Sequence, residues 1–170
     1  VIPMVLPLIV GIILIFLRPF VRTQRVISFL TMVLTFGVST YLLVEVQRNG
    51  IQTLDFGGWD APYGITFVGD SFSLLLTATA YFIAATVLIY VFATIGEEKE
   101  KMFVYPLILL LLAGVACSFL TGDLFNLYVG FEVMLLASYA LIVLGGEKGQ
   151  LRESIKYVLV NVFSSFVFLI

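Results

Sequence analysis

No histidine occurs in the sequence, and cysteine and tryptophan occur once each. Without imidazole the chain offers no His-ligated haem, no His-based metal site and no Ser-His-Asp triad. The single cysteine, Cys117, excludes an internal disulfide, and its place in an apolar run suits an inert small hydrophobe. Charge is scarce too. Asp, Glu, Lys and Arg make up 12% of the 170 residues, against roughly a quarter in soluble domains. A net charge of −2 is too small to attract nucleic acid. No Gly-rich phosphate loop ending in Lys-Ser/Thr is present, so ATP-driven transport is not encoded here. No clustered acidic set marks a divalent-metal site, and no cofactor is expected. The sequence also lacks internal repeats, low-complexity tracts and any sign of a second domain.

Apolar side chains are abundant instead: 61% of residues are hydrophobic. That composition belongs to an all-α, polytopic membrane protein whose solvent is the lipid bilayer. Apolar stretches near the ~20 residues that cross a bilayer give six expected transmembrane helices: residues 2–17, 26–46, 71–95, 102–120, 124–144 and 154–170. The first is not read as a signal peptide, because it lacks a basic leader and Arg18, Arg22 and Arg25 follow it. Lys and Arg follow spans 1, 3 and 5 (Arg18, Arg22, Arg25; Lys99, Lys101; Lys148, Arg152, Lys156), and only Arg48 lies on the other side. By the positive-inside rule the N-terminus is outside.

The connections are short except for residues 47–70, where two brief apolar pieces flank Gly-Gly-Trp-Asp-Ala-Pro. This pattern predicts an outer hairpin between helices 2 and 3, with Trp59 and Tyr63 in the headgroup zone. The chain starts at Val1 and stops at Ile170 inside an apolar run, so it is expected to be the front part of a longer polypeptide.

One residue conflicts with this solvent. Glu132 is the ninth residue of span 5, about 12 Å into a ~30 Å hydrocarbon core. An acidic side chain there costs on the order of 2.5–3.5 kcal/mol and is too short to reach the surface. It must keep its proton or pair with a cation from another helix, and both conditions suit a proton relay. Tyr128 and Tyr139 fall within about 40° and 20° of Glu132 on the same helical face, so that face is expected to meet protein or water. The plainer reading is a hydrogen-bonded glutamate that fixes helix packing.

Lys156, near the start of span 6, either feeds protons inward or snorkels to the inner interface beside Glu153. Asn161, Ser164 and Ser165 follow it as small polar groups that commonly join membrane helices. Asp70 and Asp123 each precede a span and read as N-caps. Glu45 and the run Glu-Glu-Lys-Glu-Lys at 97–101 read as solvated charge. The hydroxyls of span 3 (Thr77, Thr79, Tyr81, Thr86, Tyr90) suit either a polar path or helix–helix contact.

Three stretches in register then carry a resemblance. FGGWDAPYGITFVGDSFSLLL, TGDLFNLYVGFEVMLLASYALIVLG and LRESIKYVLVNVFSS resemble the segments around the third, fifth and sixth helices of antiporter-like membrane subunits. That family is shared by respiratory complex I and the Mrp-type Na+/H+ antiporters, and the middle stretch is most similar to the Mrp branch. The resemblance implies a larger domain with two inverted helix repeats, in which span 4 opens the first repeat and span 5 carries its acidic residue. Glu132 matches the family's intramembrane glutamate, the partner of a seventh-helix lysine in proton transfer. That lysine and the second half-channel are expected beyond residue 170.

The implied function is a proton-translocating subunit of a multi-pass complex in a bacterial plasma membrane, exchanging Na+ for H+ with other subunits as partners. Tyr128 and Tyr139 would orient Glu132, and Lys156 would serve proton entry. One alternative is a proton-pumping subunit of complex I or of a membrane-bound hydrogenase. Another is a structural scaffold in which Glu132 only locks helices together.

Overall fold

The computed structural model describes residues 1–59, 63–146 and 148–169. In chain order these form α1 (Ile2–Phe16), α2 (Val21–Asn49), β1 (Gln52–Asp55), β2 (Thr66–Gly69) and α3 (Ser71–Thr94). A short α4 (Glu97–Glu100), then α5 (Val104–Leu120), α6 (Leu124–Val143) and α7 (Lys148–Leu169) complete the chain. Among the described residues the regular structure is thus helical apart from one two-stranded hairpin.

By length and composition α2, α3 and α6 can each cross a bilayer. The apolar α1 and α5 have 15 and 17 residues. At 1.5 Å per residue they reach about 22–26 Å, somewhat less than a ~30 Å core. Helix α7 carries Lys148, Arg152, Glu153 and Lys156 in its first turns, and its hydrocarbon part begins only after them. Helix α2 starts at Val21, ahead of the apolar run from residue 26. Nothing in Arg22-Thr23-Gln24-Arg25 breaks a helix, so hydropathy marks only the part of α2 that suits lipid.

Helix α5 is the centre of the bundle and packs against α1, α3 and α6. Its buried positions run around much of its circumference, from Tyr105, Pro106 and Leu109 to Ala113, Ala116 and Cys117, as expected of a core helix rather than an amphipathic one. On one side Gly11 of α1 lies so close that a Cβ there would be 3.3 Å from Leu109 Cβ and from the Pro106 carbonyl oxygen. On another side Tyr81 of α3 is fully enclosed, and its hydroxyl donates to the Pro3 carbonyl at 2.6 Å. Three other span 3 hydroxyls bond within their own helix: Thr77, Thr79 and Thr86 donate to Ser73 O, Leu75 O and Ile83 O.

The hairpin forms where the sequence predicts it. Strands β1 and β2 pair antiparallel, with Gln52 opposite Gly69 and Asp55 opposite Thr66. Gly57 and Gly58 take φ of 75° and 72° in the turn that follows β1, a region open to glycine at little cost. The remaining edge of β2 is tied to the α5–α6 link, where Gly122 N–H donates to the Thr66 carbonyl at 2.8 Å. Trp59 and Tyr63 are both exposed.

Both aspartate caps are present. The Asp70 carboxylate accepts the Ser73 N–H at 2.6 Å, and Ser73 Oγ accepts the Asp70 N–H at 3.1 Å, a reciprocal capping box. The Asp123 carboxylate accepts the Asn126 N–H at 2.6 Å. The charged run at 97–101 behaves otherwise than expected. Glu97, Glu98, Lys99 and Lys101 are exposed, but Glu100 is fully buried. Arg25 of α2 grips it with two hydrogen bonds, 3.0 Å from Nε and 2.9 Å from Nη2. The fork of a guanidinium supplies the charge and geometry that let a carboxylate leave water.

Candidate functional site

Helix α6 is positioned first by its seam with α5. A Cβ on Gly114 would lie 2.6 Å from the Met134 N and 2.9 Å from the Gly130 carbonyl oxygen. Across the seam, a Cβ on Gly130 would lie 2.8 Å from Ser118 Oγ. Paired glycines let two backbones approach, the usual device for close packing between membrane helices. The buried residues of α6 are Asn126, Gly130 and Ala137. At 100° per residue these three point within about 40° of one another, and Glu132 points about 120–160° away from them. The seam therefore turns Glu132 off α5, toward the side of α6 that also carries Tyr128 and Tyr139.

Helix α7 receives that flank with aromatic rings. Tyr128 stacks on Phe168, centroids 6.4 Å apart and planes 12° from parallel. Tyr139 meets Tyr157 edge-on, at 5.6 Å and 85°. Both arrangements are favourable for aromatic pairs. Glu132 is half-buried on α6 between these two docked tyrosines. Among the described residues the ion pairs are Arg25–Glu100 and Glu153–Lys156, so no cation is bound to Glu132. Its carboxyl has no hydrogen-bond partner among them either.

Beside Tyr128 a cleft of about 170 Å³ opens between the helices, lined by Phe131 and Leu135 of α6 and by Asn161, Ser164, Ser165 and Phe168 of α7. The Asn161 amide nitrogen is buried there without a hydrogen-bond partner among the described residues. The Tyr139 hydroxyl is its polar neighbour across the α6–α7 contact. Glu132 is not among the residues that line this cleft.

Lys156 lies elsewhere. Its ammonium reaches both Glu153 oxygens, at 2.8 and 3.0 Å, in the exposed first turns of α7. The structure therefore brings Tyr128 and Tyr139 against α7, leaves Glu132 half-buried between them along α6, and leaves Lys156 with its neighbour one turn back. Sequence reasoning had Asn161, Ser164 and Ser165 only as helix-joining groups, and it did not single out Tyr157 or Phe168. Their spacing (157, 161, 164, 168) is one helical stripe, a signal that could have found them.

Comparison with known proteins supports a family. Residues 121–170 match the model for the transmembrane region of NADH:quinone oxidoreductases and Mrp antiporters. Over 170 residues the chain is 50% identical to the D-type subunit of the Na(+)/H(+) antiporter of Alkalihalophilus pseudofirmus, all of this chain and 34% of that protein. Among solved structures, the Mrp complex from Dietzia sp. DQ12-45-1b contains a chain matching with a TM-score of 0.89 and 27% identity, over 98% of this chain and 32% of that one. The membrane-bound sulfane sulfur reductase, an archaeal respiratory complex, matches with a TM-score of 0.85 and 26% identity, over 99% and 35%. The chain spans about a third of the length of the curated relatives it matches. It is a homologue of that third of the D-type Mrp antiporter subunits, within the antiporter-like membrane family shared with complex I.

Proposed function

We propose that the chain is the N-terminal part of the proton-carrying subunit of a multi-subunit Na+/H+ antiporter in a bacterial plasma membrane. Glu132 takes up and releases the proton. The observation that carries this reading is its setting: a half-buried carboxyl in an apolar span, on the helix face of two tyrosines docked on α7, without a cation among the described residues. A bare carboxylate is expensive at that depth. A lysine of a further helix that approaches and withdraws would therefore load and unload the proton. The relative from Alkalihalophilus pseudofirmus bears the name of a Na(+)/H(+) antiporter subunit, which supports Na+ and H+ as the exchanged ions and other subunits as partners.

In this reading α1, α2, α3, α5, α6 and α7 are the six spans, the N-terminus is outside, and Arg18, Arg22, Arg25, Lys99 and Lys101 face the cytoplasm. Tyr128 and Tyr139 orient the carboxyl through their contacts with α7. Lys156 serves proton entry from the inner side, where Glu153 holds its ammonium.

Likeness to the sulfane sulfur reductase favours a second reading, in which the same glutamate works in a complex driven by redox chemistry. The two separate in one assay. Inverted vesicles holding the complete complex are given a proton gradient by an unrelated pump, and Na+-dependent proton movement is followed with Glu132→Gln beside wild type. Exchange without any redox substrate, lost in the variant while assembly is intact by blot, is the expected result. Normal exchange in Glu132→Gln overturns the proton-carrier role and leaves a packing residue. Proton movement that appears only with a reductant and acceptor moves the protein to the second reading.

A further inference from the structure

The bundle end that carries Arg18 and Lys101 also holds a groove of about 690 Å³ between α1, α5 and the end of α6. Ile15, Pro106, Leu110, Ala140 and Leu144 make it apolar along its length, and Phe103 forms its wall at the charged end. That volume lies within the ~300–1,000 Å³ of ordinary ligand sites.

Phe103 is where the backbone departs from the ordinary. Its φ is 68°, and it is the non-glycine residue with positive φ among the described residues. A bulky residue in that region stores strain, which persists only where the surroundings over-determine it. Here it places the ring under a guanidinium. The Arg18 carbon Cζ sits 4.9 Å from the ring centroid, and Arg18 Nε donates to the Lys101 carbonyl at 3.1 Å. The stack and the hydrogen bond fix the exposed Arg18 beside Phe103, which lines the groove.

Charge completes the argument. Arg25 is neutralised by Glu100, but among the described residues no carboxylate lies within ion-pair distance of Arg18. Ile15 near the end of α1 lines the groove and Arg18 follows two residues after that helix ends, so an oriented cation without a carboxylate partner among the described residues stands beside the apolar slot. A hydrocarbon chain fits the slot and a phosphate oxygen fits the fork.

We infer that this groove is a site for an anionic phospholipid, its acyl chain between α1, α5 and α6 and its phosphate on Arg18. Basic pockets between membrane helices recognise anionic headgroups in this way. The site is separate from Glu132 and does not depend on the proton-carrier reading.

The test uses the complete purified complex in native mass spectrometry, with phosphatidylglycerol or phosphatidylcholine added at matched concentration. Wild type retains phosphatidylglycerol over phosphatidylcholine about five-fold, the weight of one basic contact with an anionic surface. Arg18→Gln brings that ratio near one, Arg18→Lys keeps part of it, and Arg22→Gln at the same end leaves it unchanged. Ala140→Trp fills the slot and lowers retention of both lipids, and subunit assembly is read in the same spectra. An unchanged ratio in Arg18→Gln overturns the inference, as does a wild-type complex without preference, whose lipid is then only the general annulus or whose groove is covered by protein.

Discussion

Two glycines inside helices should respond oppositely to the same substitution. Gly114→Ala adds a Cβ 2.6 Å from Met134 N and 2.9 Å from both Met134 Cα and the Gly130 carbonyl oxygen. All three are backbone atoms, so no side chain can swing away. The α5–α6 seam must open by several tenths of an ångström, and overpacking of this kind costs about 1–3 kcal/mol. Removing a glycine from a helix returns roughly 0.5–1 kcal/mol. The net effect is a loss of about 1–2 kcal/mol. Gly37 of α2 offers the contrast, because a Cβ there meets nothing within 4 Å. Gly37→Ala keeps only the helical gain, and stability rises by up to about 1 kcal/mol.

The assay is the midpoint of denaturing-detergent titration of the assembled complex, read as a rank order since a multi-subunit membrane protein need not unfold in two states. The expected order is Gly37→Ala, wild type, Gly114→Ala. Equal midpoints for Gly114→Ala and wild type would refute the close approach on which the orientation of α6, and so of Glu132, depends.

The Arg25–Glu100 pair supplies another prediction. Arg25→Met strands a fully buried carboxylate and should cost up to about 3–5 kcal/mol. Glu100→Gln should cost less, because the Arg25 side chain keeps 30% of its surface in solvent and can turn outward; the same detergent midpoints check the order. At the opposite end, Asp70→Ala removes the cap of α3 and should cost about 1 kcal/mol, seen as faster hydrogen exchange in the first turn. Ser73, through its hydroxyl and then its backbone N–H, holds the Asp70 carboxyl below its usual range. A depressed carboxyl stabilises the fold above its unfolded value of about 3.9 and loses that contribution as pH falls through the lower folded value. Protection of that turn should therefore be flat from neutral pH to about pH 4, and a loss already near pH 6 would contradict the capping geometry.

The sequence by itself determined the solvent, the helical class and the local devices. Their causes are near neighbours in the chain: apolar run length, the aspartate just ahead of each of two spans, the Gly-Gly turn beside β1, and the shared face of Tyr128, Glu132 and Tyr139. Periodicity also marked that face as one that avoids lipid, but it carried no information on what covers it. That required α7, whose Tyr157 and Phe168 meet α6 only after the chain has turned back. Glu100 shows the same limit more sharply, since its burial depends on an arginine 75 residues away and a charged run alone reads as solvated. The approach of Gly114 to Gly130, the strained Phe103 beneath Arg18 and the direction of Glu132 were likewise decided only in three dimensions. Helix formation and capping are fixed by interactions a few residues apart. Which side of a helix is buried, and which charge finds a partner, depends on surfaces that the sequence separates and only packing brings together.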